Sequence, residues 1–196
     1  YGDVSGKSIS GALMMMAAHE VLNSVALAHP EPEKLLHLAN ERPYALRGTR
    51  ERTQIRGGSF VALGYLGFRS GEGKLSYTLA GQPPPLVRRQ TGEIERLEMP
   101  EHRLPLGALR VGGYRIIERD LDIGDLIVAY SDGVVEAQSP AGDFFGEDRL
   151  AEALTSSPTD PQEAVNYLLE EIEAFTCGHK PYDDVTLLAA SWSPNS

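Results

Sequence analysis

The stretch Gly2-Asp3-Val4-Ser5-Gly6-Lys7-Ser8, "GDVSGKS", is where the fold is decided. A glycine, four residues and then Gly-Lys-Ser would form a phosphate-cradling loop, with backbone N–H groups curled around an anion ahead of a helix. Here three residues, Asp3, Val4 and Ser5, separate the glycines, and the first is an aspartate that puts negative charge where an anion would lie. The same carboxylate suits a cation. Two readings stand at this point: a nucleotide loop, and a metal carboxylate at a strand end.

The segments further along discriminate between them. Met14, Ala18, Val21, Val25 and Ala28 recur at helical spacing between Gly11 and His29, and Pro30 and Pro32 stop the run. Pro32 opens a second short helix through Leu35, Leu36 and Leu38 that is expected to end before Pro43. The arginine-bearing stretch "RPYALRGTRERTQIRGG" then predicts a solvated loop, with a phosphate- or partner-binding patch as the alternative.

From Ser59 onward the pattern becomes β-rich. Phe60 to Phe68 and Leu75 to Leu79 flank "SGEG" as a hairpin, and short strands at Leu86 to Arg88 and Ile94 to Leu97 flank Thr91-Gly92. Strands follow at Tyr114 to Arg119 and Leu126 to Tyr130, joined through Gly124-Asp125. Asp160-Pro161-Gln162-Glu163 opens a helix with an N-cap, a first-turn proline and a capping-box glutamate. That helix is expected to bury Val165, Leu168, Leu169, Ile172 and Phe175 and to stop at Gly178, ahead of a last strand from Val185 to Ala190. Helices at both ends of a run of antiparallel strands predict an α+β layered domain, not a doubly wound parallel sheet, which counts against the nucleotide loop.

Composition sets further bounds. The 196 residues, 41% hydrophobic and 23% charged, suit one globular domain. A formal net charge of −10 disfavours nucleic acid or an anionic membrane as the main partner and leaves metal cations or basic protein faces compatible. The one cysteine, Cys177, has no internal disulfide partner, as suits a reducing cytoplasmic setting. No apolar run reaches the length of a membrane span, and Asp3 with its flanking glycines does not read as a signal peptide.

Three acidic positions share a context. Asp3 follows a presumed strand, Asp132 sits in "LIVAYSDGVVEA", and Asp183 with Asp184 comes immediately before the last strand. Strands converging in a sheet can bring their end residues together from distant parts of the chain. Two carboxylates about 4 Å apart repel by roughly 4 kcal/mol at an effective dielectric of about 20, so a cluster of this kind calls for protons or cations. Oxygen-only ligands suit magnesium or manganese. The alternative is that each aspartate caps its own turn.

These residues also carry a family resemblance. "GDVSGK" ahead of an Ala/Leu/Met-rich helix, "FVALGYLGF", "LSYTLAGQPPPLV", "LPLGAL", "GDLIVAYSDGVVEA…FGEDRL" and "DDVTLL" occur in that order. The chain thereby resembles the bacterial stage II sporulation protein E-like and RsbU-like phosphatases, a branch of the metal-dependent PPM-type serine/threonine phosphatases, from residue 2 to about 190. The resemblance implies an α-β-β-α sandwich, two antiparallel sheets flanked by helices, as a single domain over residues 1–192 with a tail at 193–196. It implies two divalent ions, manganese or magnesium, held by Asp3, Asp132, Asp183 and the backbone carbonyl of Val4, with Gly133 and Asp184 shaping the surroundings. A water activated between the ions would attack a phosphoserine or phosphothreonine, with no protein nucleophile.

It further implies a phosphorylated anti-sigma-factor antagonist-like protein as substrate, stress-response and sigma-factor regulation as the setting, and an upstream sensor domain. A homodimer is one assembly compatible with it. Two positions depart from the pattern, Ser8 where a glycine is usual and Gln82 where "AGHPP" has a histidine. The family places two strands and an acidic "GGDFYD"-type motif ahead of "GDVSG", so the domain is expected to lack its first strands and to be a poor enzyme without them. An active phosphatase and a catalytically weak phosphatase-like binding module are thus the two function classes to separate.

Overall fold

A computed structural model describes residues 1–4, 9–28, 32–51, 60–69, 71–110, 113–179 and 182–193. They fall into two units, each with its own core: Tyr1–Gly67, Ser76–Gln82 and Met99–Glu118 form one, and Phe68–Leu75, Pro83–Glu98 and Arg119–Ser196 the other.

The first unit opens with a three-residue strand, β1 (Gly2–Val4), followed by two helices, α1 (Ile9–Ala28) and α2 (Pro32–Glu51). The long strands β2 (Val61–Arg69) and β3 (Lys74–Ala80) form the expected hairpin, and with β6 (Ile117–Asp120) they complete a sheet in the order β1-β2-β3-β6. Met14 and Ala18 lie four residues apart on one face of α1 and are buried with Leu36 and Ala39 of α2 against Val61, Leu63, Ala80, Leu106 and Tyr114. Each fully buried aliphatic side chain of this kind contributes about 2 kcal/mol. The fully buried Asn40 ties α2 to a loop: its Oδ1 accepts from the Gly107 N–H at 2.8 Å, and its Nδ2 donates to the Leu109 carbonyl at 2.9 Å.

Two expectations for this unit are corrected. The second helix does not end before Pro43 but continues to Glu51, so much of the arginine-bearing stretch is helical. A mid-helix proline removes one hydrogen bond and crowds the carbonyl four residues back. Here Leu35, Leu36 and Ala39 anchor the preceding turns in the core, and packing of that face outweighs the local break. Residues 52–59, with Arg52 and Arg56, lie outside the described residues, as does His29. Strand β6 begins at Ile117 instead of Tyr114, because the Tyr114 ring is drawn into the core, where its hydroxyl donates to the Leu104 carbonyl at 3.0 Å.

The second unit holds β4 (Leu86–Arg88), β5 (Ile94–Arg96), β7 (Leu126–Tyr130) and β8 (Leu187–Ser191), ordered β5-β4-β7-β8 with every pairing antiparallel. All five residues of β7 are fully buried, which explains why the sequence there is a continuous apolar run. The helices α3 (Asp132–Val135), α4 (Gly146–Ser156) and α5 (Pro161–Thr176) complete the unit. Asp160 caps α5 as expected, its Oδ1 accepting from the N–H groups of Gln162 and Glu163, and Cys177 and Gly178 end the helix with φ of 51° and 73°.

Within this unit Leu169 is 42% exposed, contrary to expectation; Ala164, Leu168, Ile172 and Thr176 form the buried face. The helix α4 was not expected, and the last strand starts two residues later than predicted. Arg88 is buried with no carboxylate beside it among its hydrogen bonds: it donates to the carbonyls of Leu154, Ser157 and Pro158 and to the Ser157 hydroxyl, at the C-terminal end of α4 where a cation is favoured. Trp192 follows β8, its N–H donating to the Asp125 carbonyl and its carbonyl accepting from Gly124.

The prediction of an α+β domain with two antiparallel sheets and helices is met. A phosphate-cradling loop in a doubly wound parallel sheet is thereby excluded as the setting of Gly2 to Ser8, of which Ser5 to Ser8 lie outside the described residues. Among the described residues no helix is long and apolar enough to cross a membrane.

Candidate metal centre

At the end of β7 the chain leaves a fully buried strand, passes Ser131 and enters α3 at Asp132. Ser131 is 2% exposed and fastens this point to the segment that precedes β8. Its N–H donates to the Thr186 carbonyl at 3.0 Å, its hydroxyl accepts from the Thr186 N–H at 3.0 Å, and the same hydroxyl donates to the Asp184 carbonyl at 3.0 Å.

Gly133 completes the junction by having no side chain. A Cβ at that position would lie 2.4 Å from the Asp184 carbonyl oxygen and 3.5 Å from the Asp183 carbonyl carbon. No larger residue fits unless the 183–184 segment moves. The loops carrying Asp132 and Asp183 are therefore in direct contact within the second unit. Both aspartates are exposed and make the same local bond, Asp132 Oδ1 accepting from the Gly133 N–H and Asp183 Oδ1 from the Asp184 N–H, each at 3.0 Å. Asp183 and Asp184 do not immediately precede the last strand: Val185 and Thr186 intervene, because Thr186 is engaged by Ser131.

Asp3 belongs to the first unit. It is the middle residue of β1 and half-buried, not a residue after the strand. β1 runs antiparallel to β2 with Gly2 opposite Leu63, Asp3 opposite Ala62 and Val4 opposite Val61. Tyr1 and Gly64 exchange two hydrogen bonds at 3.1 and 2.9 Å, so the alternation of an antiparallel ladder makes Asp3 and Ala62 the next hydrogen-bonded pair. Val4 and Val61 then form a pair without mutual bonds. Consistent with this, Val61 exchanges its backbone bonds with Leu106 on its other side. The Val4 carbonyl accordingly faces away from β2, on the outer side of a sheet whose edge strand is β1.

The donor set suits a hard cation. Exposed carboxylates and a carbonyl offer oxygen alone, the chemistry magnesium and manganese select, and the density of negative charge at Asp132, Asp183 and Asp184 favours a divalent ion. Ser131 is the residue of this region that sequence reasoning missed; its signal was a serine between a buried strand and Asp-Gly.

Comparison with known proteins bears on the family and the fold. The sequence profile of the family described as stage II sporulation protein E (SpoIIE) matches residues 1–193. Protein IcfG of Synechocystis sp. is 31% identical over 117 residues, which cover 60% of this chain and 18% of that protein's length. Among solved structures, the SiaA-PP2C domain of Pseudomonas aeruginosa superposes with a TM-score of 0.82 at 20% identity, covering 98% of this chain and 74% of that one. The RsbU and RsbW domains of a Mycobacterium tuberculosis protein give a TM-score of 0.68 at 26% identity, covering 96% of this chain and 49% of that one. The PPM Ser-Thr phosphatase MsPP of Mycobacterium smegmatis gives 0.68 at 22% identity, covering 98% and 88%. With the family profile spanning nearly all of its length, the chain belongs to the stage II sporulation protein E (SpoIIE) family and has the fold of the PP2C/PPM phosphatases.

Proposed function

We propose that this chain is a metal-dependent protein serine/threonine phosphatase domain and that Asp3, Asp132 and Asp183 together hold its metal ions, manganese or magnesium. The observation that supports this most strongly is the junction at Ser131 and Gly133, which locks the Asp132 and Asp183 loops together while leaving both carboxylates exposed. A pair of aspartates that merely capped separate turns would need no such lock.

In this reading Asp3 and the outward-facing Val4 carbonyl complete the ligand set, and Gly133 and Asp184 fix its spacing. Bound there, two divalent ions supply Lewis acidity and make water a nucleophile at neutral pH. The residues of the chain hold the carboxylates against their mutual repulsion. No serine or cysteine nucleophile is required. Cys177 is at the end of α5 and Ser131 is spent on backbone bonds.

The substrate proposed is a phosphorylated regulatory protein of the anti-sigma-factor antagonist type, acted on in the cytoplasm, with a sensor domain controlling residues 1–192 as one phosphatase domain. A second reading is a binding module that holds its partner without turnover.

One set of measurements separates the two. Manganese at millimolar concentration should raise the melting temperature, since a ligand that binds only the folded state stabilises it. It should also support hydrolysis of p-nitrophenyl phosphate and of a phosphoserine protein, with chelator reversing both. A thermal shift without hydrolysis would select the binding module, and neither effect would end the metal reading.

A further inference from the structure

We propose that Gln82 is a positioning residue for the metal centre: its side-chain amide clips the β2 carbonyl that carries Asp3, and so sets where that carboxylate stands. The inference rests on Asp3 being a metal ligand, as proposed above.

The residues concerned all belong to the first unit. Gln82 follows β3 and is 3% exposed. Its Nε2 donates to the Ala62 carbonyl at 3.4 Å. Ala62 is the residue paired with Asp3, and ladder alternation makes its carbonyl the acceptor for the Asp3 N–H. One oxygen thus serves both the rung that holds Asp3 and the amide of Gln82.

The neighbouring geometry is tight enough to transmit a displacement. A Cβ on Gly2 would stand 2.8 Å from that same Ala62 oxygen, and a Cβ on Gly81 would meet the Pro105 ring at 2.7 Å and the Ala62 methyl at 3.3 Å. Gly81, with φ of 91° and a bridge to Leu63, brings the Gln82 backbone alongside β2.

Stability alone does not account for an amide here. The bond to Ala62 is long, and Gln82 Oε1 is buried without a hydrogen-bond partner among the described residues. An orphaned buried acceptor costs more than a long neutral hydrogen bond returns. An apolar side chain of the same size would serve the core better, so the donor is retained for what it fixes.

The test compares wild type with Gln82→Leu, Gln82→His and Thr78→Val. Thr78 is the control: it lies in β3 of the same unit, is fully buried and has a hydroxyl without a hydrogen-bond partner among the described residues. Manganese affinity is measured by titration calorimetry and the melting temperature by scanning calorimetry, so that neither readout depends on turnover. Gln82→Leu should weaken manganese binding about tenfold, the lower end for loss of a partner that orients a ligand, while its melting temperature stays level or rises. Gln82→His keeps an N–H donor and should stay within about threefold of wild type, and Thr78→Val should leave affinity unchanged. Wild-type affinity in Gln82→Leu, or a loss of affinity that tracks a fall in melting temperature across all variants, overturns the proposal. Absence of manganese binding by wild type would instead remove the metal reading on which it stands.

Discussion

Asp132 and Asp3 are both carried by strands, and the chain supports them by opposite means. Asp132 follows β7, a strand with a neighbour on each side, buried at all five positions and joined through Ser131 to Thr186 and Asp184. Asp3 lies within β1 and is held by the ladder to β2. A group of the first kind moves only when its unit opens as a whole, whereas a group of the second kind can move through local opening. In the proposed metal centre the Asp132 and Asp183 side is therefore the fixed half, and Asp3 is the half on which position, affinity and control depend.

The comparison can be broken most sharply at Asp132. Asp132→Asn keeps the shape and removes one charge from an acidic site, so manganese-dependent hydrolysis of p-nitrophenyl phosphate should fall to background while circular dichroism stays native. Wild-type turnover in that variant would show the fixed half to be elsewhere.

Gly133→Ala comes next. The added methyl must push the Asp183-Asp184 segment away from a 2.4 Å approach, and a misplacement of about 1 Å in a ligand costs on the order of a hundredfold in rate. Turnover within about threefold of wild type would mean that the contact does not set the spacing.

Hydrogen exchange sharpens the contrast without mutation. The Asp3 amide should exchange at least about tenfold faster than the Ser131 amide, and manganese should slow Asp3 more than Ser131. Equal protection of the two would erase the distinction between the halves.

The smallest effect is on alkaline stability of the first unit. Burial pushes the Tyr114 phenol up from its ordinary 10 to about 12. Between those values the unfolded chain has lost a proton that the folded chain keeps, so stability holds below pH 10 and declines as pH rises towards about 12. Tyr114→Phe should flatten that decline while costing about 1 kcal/mol at neutral pH for the lost bond to Leu104. An unchanged slope in alkaline denaturation of the variant would place the titrating group elsewhere.

Much of this was legible in the sequence where local and tertiary preferences agree. Asp160-Pro161 and Gly178 mark α5 because a cap, a first-turn proline and a left-handed stop are each local physics. The run from Leu126 to Tyr130 marks a central strand because both its faces are buried. The helix α4 escaped because its N-cap is Phe145, with no side-chain hydrogen bond, and it opens on Gly146 with φ of 78°. Only Leu150, Ala153 and Leu154 at helical spacing announced it. Pro43 misled because a breaker acts locally and the α2 core contacts do not. The aspartates were visible as residue types, but Ser131 and Gly133 acquire their roles from Asp184, some fifty positions away, and no local rule carries that.

Trp192, the protein's one tryptophan, is anchored by Gly124 and Asp125 and belongs wholly to the second unit. Indole fluorescence excited at the red edge, where tyrosine is dark, is therefore a one-sided reporter. A melting or refolding curve recorded that way follows the half that carries Asp132 and Asp183 and is blind to β1. A spectroscopist would see a complete signal from the second unit whatever the state of the first.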